Sequence, residues 1–142
     1  MLGVIELEMG LGNEDYEALG AFRYAMRKFL RFSKDFLADS KLTPEQYEAL
    51  LAIKANSQSD KINVGDLSER LQVKHHTAVS LIDKLAARNF VARARSKEDR
   101  RHVYVELTQR GDAVLTKLAS IHRREMRRRS SEMITALRRL QK

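Results

Sequence analysis

A mainly helical fold carrying one short β-hairpin is what the sequence predicts, and three observations predict it. Apolar residues recur at threes and fours over most of the 142 residues. The segment LSERLQVKHHTAVSLIDKLAARN, Leu67 to Asn89, reads as helix, tight turn, helix. Directly after it, FVARARSKEDRRHVYVEL reads as a basic hairpin ending at Leu107. A helix can enter the major groove of a duplex while an arginine-rich ribbon follows the backbone or reaches the minor groove. The predicted order, α-α-α-α-β-β-α-α, is that of a winged helix-turn-helix with added helices at both ends, and it implies DNA binding.

Each element has a local reason. Leu19, Phe22, Met26, Phe29, Leu30, Phe36 and Leu37 mark an apolar stripe on a helix over residues 14–39. Asn13 is placed to cap it, and Glu14, Asp15 and Glu17 suit its positive end. A second helix starts sharply at Thr43-Pro44-Glu45-Gln46, where Thr43 and Gln46 form a capping box and Pro44 fits the first helical position. Tyr47, Leu50, Leu51 and Ile53 supply its apolar face, and a polar loop follows over residues 56–61.

Ile62 suggests a minimal strand, and Asn63 caps a third helix over Val64–Leu71. The turn Gln72-Val73-Lys74 leads into a fourth helix over residues 75–88, with Ala78, Leu81, Ile82 and Leu85 packing inward. Asn89 stops this helix in a left-handed conformation, the role Asn fills next best after Gly. Val103, Val105 and Leu107 alternate with His102, Tyr104 and Glu106, the period of a half-buried strand. Thr108 restarts a long helix through Val114, Leu115, Leu118 and Ile121, and a final short helix holds Met133, Ile134, Leu137 and Leu140.

Charge is distributed unevenly. The net charge is +8, made of −3 over residues 1–60, +5 over 61–110 and +6 over 111–142. The excess asks for a polyanionic partner. With no cysteine, disulfides, thiolate metal sites, cysteine nucleophiles and thiol-based sensing are excluded for these residues. The start MLGVIELEMG is acidic and too short for a signal sequence, and no run approaches the length of a membrane span. A cytoplasmic protein is expected. No repeat or Gly/Pro-rich linker divides residues 1–142, which read as a single domain.

Lys74, His75, His76, Thr77, Ser80 and Lys84 lie at the start or on the exposed face of the second helix of the motif. Thr77 and Ser80 can donate or accept at base edges, histidine can do either, and Lys84 suits phosphate. Val79 either touches a thymine methyl or packs under the turn. The structural alternative is an ordinary solvated helix face. In the hairpin, Arg93, Arg95, Lys97, Arg100 and Arg101 concentrate cations where a ribbon would meet DNA. Arg123, Arg124, Arg127, Arg128 and Arg129 form the densest basic run, and a solvated helix end is favoured over a second phosphate or effector contact.

At this point the chain resembles the MarR family of bacterial transcription regulators over nearly its whole length. The residues that carry the likeness are LTPEQYEALLAIKA, VGDLSERLQVKHHTAVSLIDKLAARNFVAR and SKEDRRHVYVELTQRG. Asp99-Arg100-Arg101 resembles the family's D-x-R wing signature, with Leu107-Thr108-Gln109-Arg110-Gly111 as its usual sequel. Two departures stand out: Asn89 where Gly is common, and His75 and His76 where small polar residues or proline are commoner.

The resemblance implies a homodimer whose terminal helices, residues 12–40 and 108–142, interdigitate. A winged helix-turn-helix lobe over residues 43–107 would then meet a near-palindromic operator in double-stranded DNA. It points to Arg101 as the groove-reaching residue, with Asp99 holding the hairpin tip. It also implies repression relieved by a small, aromatic or anionic effector. Phe22, Met26, Phe29, Leu50, Ile53 and Leu115 could line an effector pocket, and core or dimer packing explains the same residues equally well.

Catalysis and metal binding find little support. There is no phosphate-cradling glycine loop, no H-E-x-x-H and no recognisable Ser, His and acid set. His122 with Glu125 offers only two ligands. No enzyme activity and no cofactor are expected. The alternative functions are an architectural, broadly non-specific DNA-binding protein and a protein-interaction module whose arginines bind an acidic partner.

Overall fold

The structure is a computed structural model that describes residues 10–56, 61–95 and 103–142. The described elements follow the order α1 (Asn13–Ala38), α2 (Pro44–Ala55), β1 (Lys61–Asn63), α3 (Val64–Leu71), α4 (His75–Ala87), β2 (Val91–Arg95), β3 (Val103–Leu107) and α5 (Gln109–Leu140). Two compact units share them. One combines the segment up to Ser33 with that from His122 onward, and the other is Lys34–Ile121.

Helix starts follow the chemistry of their first turns. Thr43 and Gln46 form the expected capping box on α2, with both bonds at 3.1 Å. Asn63 accepts from the Asp66 N–H at 2.7 Å and so caps α3. At α1 the expected Asn13 cap is replaced. The Gly12 carbonyl takes the first helical bonds, and the Asp15 carboxylate accepts from the Gly12 N–H at 3.0 Å. An acid at the third helical position closes the turn from inside, so the start moves back by one residue.

Three helices end alike. Lys41, Gln72 and Asn89 have φ of 55°, 54° and 64°. In each case the next residue's N–H returns to the carbonyl five positions back: Leu42 to Leu37, Val73 to Ser68, Phe90 to Leu85. This left-handed closure satisfies carbonyls that a helix end otherwise leaves open.

The two helices expected at the C-terminus are one. α5 runs unbroken for 32 residues. After Gly111 the sequence has neither Gly nor Pro, and the arginine-rich stretch between Ile121 and Met133 is made mostly of good helix formers.

In the second unit a three-stranded antiparallel sheet has the order β1-β3-β2, with Ile62 opposite Val105 and Arg93 opposite the other side of Val105. Ile62, Val91 and Val105 join Leu37, Leu50, Ile53, Leu67, Ile82, Leu85, Phe90, Leu115 and Leu118 in one core. Val103 and Leu107, expected to share the buried face of β3, are only half-buried at its ends. In the first unit, buried Ala18 and Ala25 of α1 and Ala136 of α5 are buried. The pairs Lys28–Glu132 at 2.9 Å and Arg139–Glu17 at 3.0 Å add polar ties. Leu19 and Leu30, expected on the packed stripe of α1, are instead 48% and 49% exposed.

Candidate nucleic-acid interface

The helix-turn-helix is set by its buried residues. Leu67 of α3 and Ala78, Ile82 and Leu85 of α4 are wholly buried, and Gln72 supplies the sharp left-handed turn between the helices. With that stripe turned inward, the other face of α4 is left outward. His76, Ser80 and Lys84 fall at successive i, i+4 positions and make one exposed row. Lys74 and His75 are exposed beside it. None of these five side chains makes an ion pair or side-chain hydrogen bond among the described residues. Thr77 and Val79 are half-buried.

A second row, His75, Val79 and Asp83, flanks a cleft of about 460 Å³ between α4 and the sheet. His75, Val79 and Ile82 line it from α4, Asn63, Val64 and Gly65 from the start of α3, and Arg93 and Val103 from the strands. Its lining is chiefly apolar, with the Arg93 guanidinium and the His75 ring as polar groups.

Of the expected hairpin cations, Arg93 and Arg95 are described and both are exposed. Arg93 forms an ion pair with Asp83 of α4. Arg95 has no such partner among the described residues. Lys97, Asp99, Arg100, Arg101 and His102 lie outside the described residues. Asp83 is the participant that sequence reasoning missed. Its opposite charge to Arg93 is visible in the sequence, but the ten intervening residues give no sign that a turn brings the two together.

The base of the hairpin is tied down at the end of α4. Thr108 donates from its hydroxyl to the Asn89 carbonyl at 2.6 Å and accepts from the Gly111 N–H at 3.0 Å. Arg88 donates to the carbonyls of Lys41 and Ser40 at 2.6 and 3.2 Å, and its guanidinium lies 4.7 Å from the Phe90 ring centre.

The other expected residues separate. Leu50, Ile53 and Leu115 are at most 3% exposed and belong to the core of the second unit. Phe22, Met26 and Phe29 are half-buried in the first unit, where Phe29 meets the His122 ring edge-on at 6.1 Å. His122 is buried and shares a 2.8 Å hydrogen bond with the Ser33 hydroxyl, while Glu125 binds Arg129 at 2.6 Å. Arg123, Arg124 and Arg127 are exposed. Among the described residues no group of three or more His, Asp or Glu could hold a metal, and no helix is long and apolar enough to cross a membrane.

Residues 40–102, which hold this helix-turn-helix and β2, match the model of the MarR family. The chain belongs to the MarR family. HTH-type transcriptional regulator SarZ of Staphylococcus aureus (strain MRSA252) is 30% identical to this MarR-family chain over 100 residues, 70% of the chain. The same holds for SarZ of Staphylococcus epidermidis (strain ATCC 12228 / FDA PCI 1200). The alignment spans 66% of the length of these relatives. AbsC, a MarR family transcriptional regulator from Streptomyces coelicolor, shares the fold with a TM-score of 0.74 at 23% identity, over 84% of this chain and 80% of AbsC. The MarR C80S mutant of E. coli, solved in complex with operator DNA, has a TM-score of 0.66 at 21% identity, over 83% of this chain and 86% of its own.

Proposed function

We propose that this MarR-family chain is a non-enzymatic, sequence-specific transcriptional regulator that acts as a homodimer on double-stranded DNA. The observation that carries the reading is the unpartnered row His76, Ser80 and Lys84 on α4, beside exposed Lys74 and His75. A row that mixes imidazole, hydroxyl and ammonium groups suits base edges and phosphate together, whereas a face for phosphate alone would be richer in Lys and Arg. Lys97, Arg100 and Arg101 would extend the contact from the hairpin, with Asp99 holding its tip.

Self-association is supported by where the apolar surface lies. Of the large hydrophobics exposed among the described residues, all but Leu51 belong to the first unit. Leu19, Leu30, Met126, Ile134 and Leu137 are 37–49% exposed there. Apolar surface concentrated in this way marks an interface. A dimer presents two α4 helices, as a near-palindromic operator requires. Repression released by a small aromatic anion is the mode of regulation that the family likeness favours. The cleft beside His75 and Arg93 lies within the size range of small-molecule sites and offers such a ligand apolar walls, with His75 and the Asp83-paired Arg93 as its polar groups.

The test is fluorescence titration of the full chain against labelled duplex, with Lys84→Ala and Ser80→Ala beside Lys142→Ala. The reading expects weaker binding from the first two and none of that loss from the third. Equal effects of all three would remove α4 from the interface.

A further inference from the structure

Arg93 stands among the hairpin cations, yet its place in the sheet turns it toward α4. It lies opposite Val105, which in turn lies opposite Ile62. Directly opposed residues in an antiparallel pair send their side chains to the same face. Val105 and Ile62 are buried, so Arg93 leaves the sheet on its core side, beneath α4. There it pairs with Asp83, in the third turn of that helix. The two side chains are 41% and 60% exposed, so solvent screens the pair and its contribution to overall stability is small.

Its effect is geometric. Only Arg88, Asn89 and Phe90 separate α4 from β2, and the Thr108 bonds to this turn hold one end of the strand. β2 is paired with β3 along Val91–Arg95, so the two strands move as one ribbon, and a second tie from α4 further along β2 restrains the angle of that ribbon to the helix. Asp83–Arg93 is that second tie. Arg95, two residues further along β2 and on the same face, then stands at a fixed place relative to the row His76, Ser80 and Lys84.

We propose that Asp83 and Arg93 are positioning residues. Their pair sets the angle between α4 and the hairpin so that both meet one duplex together, and Arg93 makes no phosphate contact of its own. This rests on the DNA-binding reading above.

The experiment uses the full chain with Asp83→Asn, Arg93→Gln, the exchange Asp83→Arg with Arg93→Asp, and Arg95→Gln. Each is titrated, at several salt concentrations, against a duplex enriched by the wild type from a random pool and against bulk duplex. Asp83→Asn and Arg93→Gln are each expected to lower affinity for the enriched duplex about tenfold. The slope of log affinity against log salt should stay unchanged in both, and the exchange should recover most of the loss. A slope reduced by about 0.9 in Arg93→Gln alone, with Asp83→Asn neutral or tighter, would make Arg93 a phosphate contact and overturn the proposal. Amide hydrogen exchange in β2 gives a reading without DNA. Asp83→Asn and Arg93→Gln should speed exchange at Val91–Arg95 and the charge exchange should slow it again, whereas Arg95→Gln should not alter it. Exchange that stays at the wild-type rate in both single variants overturns the positioning role. Wild-type protein that binds no duplex, with faster exchange in both variants, would sink the DNA-binding reading and leave the strut standing.

Discussion

A Cβ added to Gly111 would lie 1.9 Å from the carbonyl oxygen of Phe90. The first turn of α5 therefore rests directly on the backbone that joins α4 to β2, and only glycine permits that approach. Gly111→Ala is expected to cost about 1–3 kcal/mol, the range for overpacking a close contact. Urea denaturation measures it. Because the obstruction is backbone, an unchanged midpoint would mean that α5 and the Phe90 turn do not sit this close.

Lys84 tests the charge component of DNA binding. Each phosphate neutralised contributes about −0.9 to the slope of log affinity against log salt. Lys84→Ala should bring the slope closer to zero by about that amount and weaken binding to different duplex sequences evenly. Titration at four or five salt concentrations gives the slope, and an unchanged value assigns Lys84 to solvent.

The apolar surface of the first unit predicts the oligomeric state. Ile134→Glu combined with Leu137→Glu introduces charges at positions 44% and 45% exposed, which an interface would cover. Sedimentation velocity is expected to give a dimer for the wild type and a monomer for this variant. Leu51→Glu, 40% exposed in the other unit, should leave the dimer intact. If all three proteins sediment alike, the dimer face lies elsewhere.

Lys28 confers a pH dependence on the first unit. Its hydrogen bond and charge hold the Glu132 carboxyl below the ordinary glutamate range. A depressed carboxylate stabilises the folded chain above its unfolded value, and the contribution disappears as the pH falls through the folded one. Glu132→Gln should therefore unfold at a lower urea concentration than the wild type at neutral pH, with the two midpoints converging in acid below the glutamate range. A gap independent of pH would show that the substitution acts through packing.

Much of the fold could be read from local chemistry. Thr43-Pro44-Glu45-Gln46 and Asn63 name their own helix starts, and Asn89 its helix end, because each depends on bonds within a few residues. Lys41 and Gln72 adopt the same left-handed closure as Asn89 without being Gly or Asn, so neither advertises it. α5 was harder to read as one helix. The apolar positions assigned to its two expected pieces stop at Ile121 and resume at Met133, while the intervening arginines sustain a helix without marking a buried face. The outward row of α4 follows from helical period alone, whereas Asp83–Arg93 depends on how a strand folds back beneath a helix. Leu50, Ile53 and Leu115 show the limit of an apolar stripe as a sign of a ligand pocket, since the core of the second unit accounts for all three.

Selection of duplexes from a random pool by the purified full chain, at one fixed salt concentration, tests most directly whether this is a dimeric, sequence-reading regulator. An enriched inverted repeat with half-sites about one helical turn apart is the predicted result, since two α4 helices related by two-fold symmetry would read adjacent major grooves. Tight, salt-sensitive binding without any enriched sequence would contradict it and leave an architectural DNA-binding protein in its place.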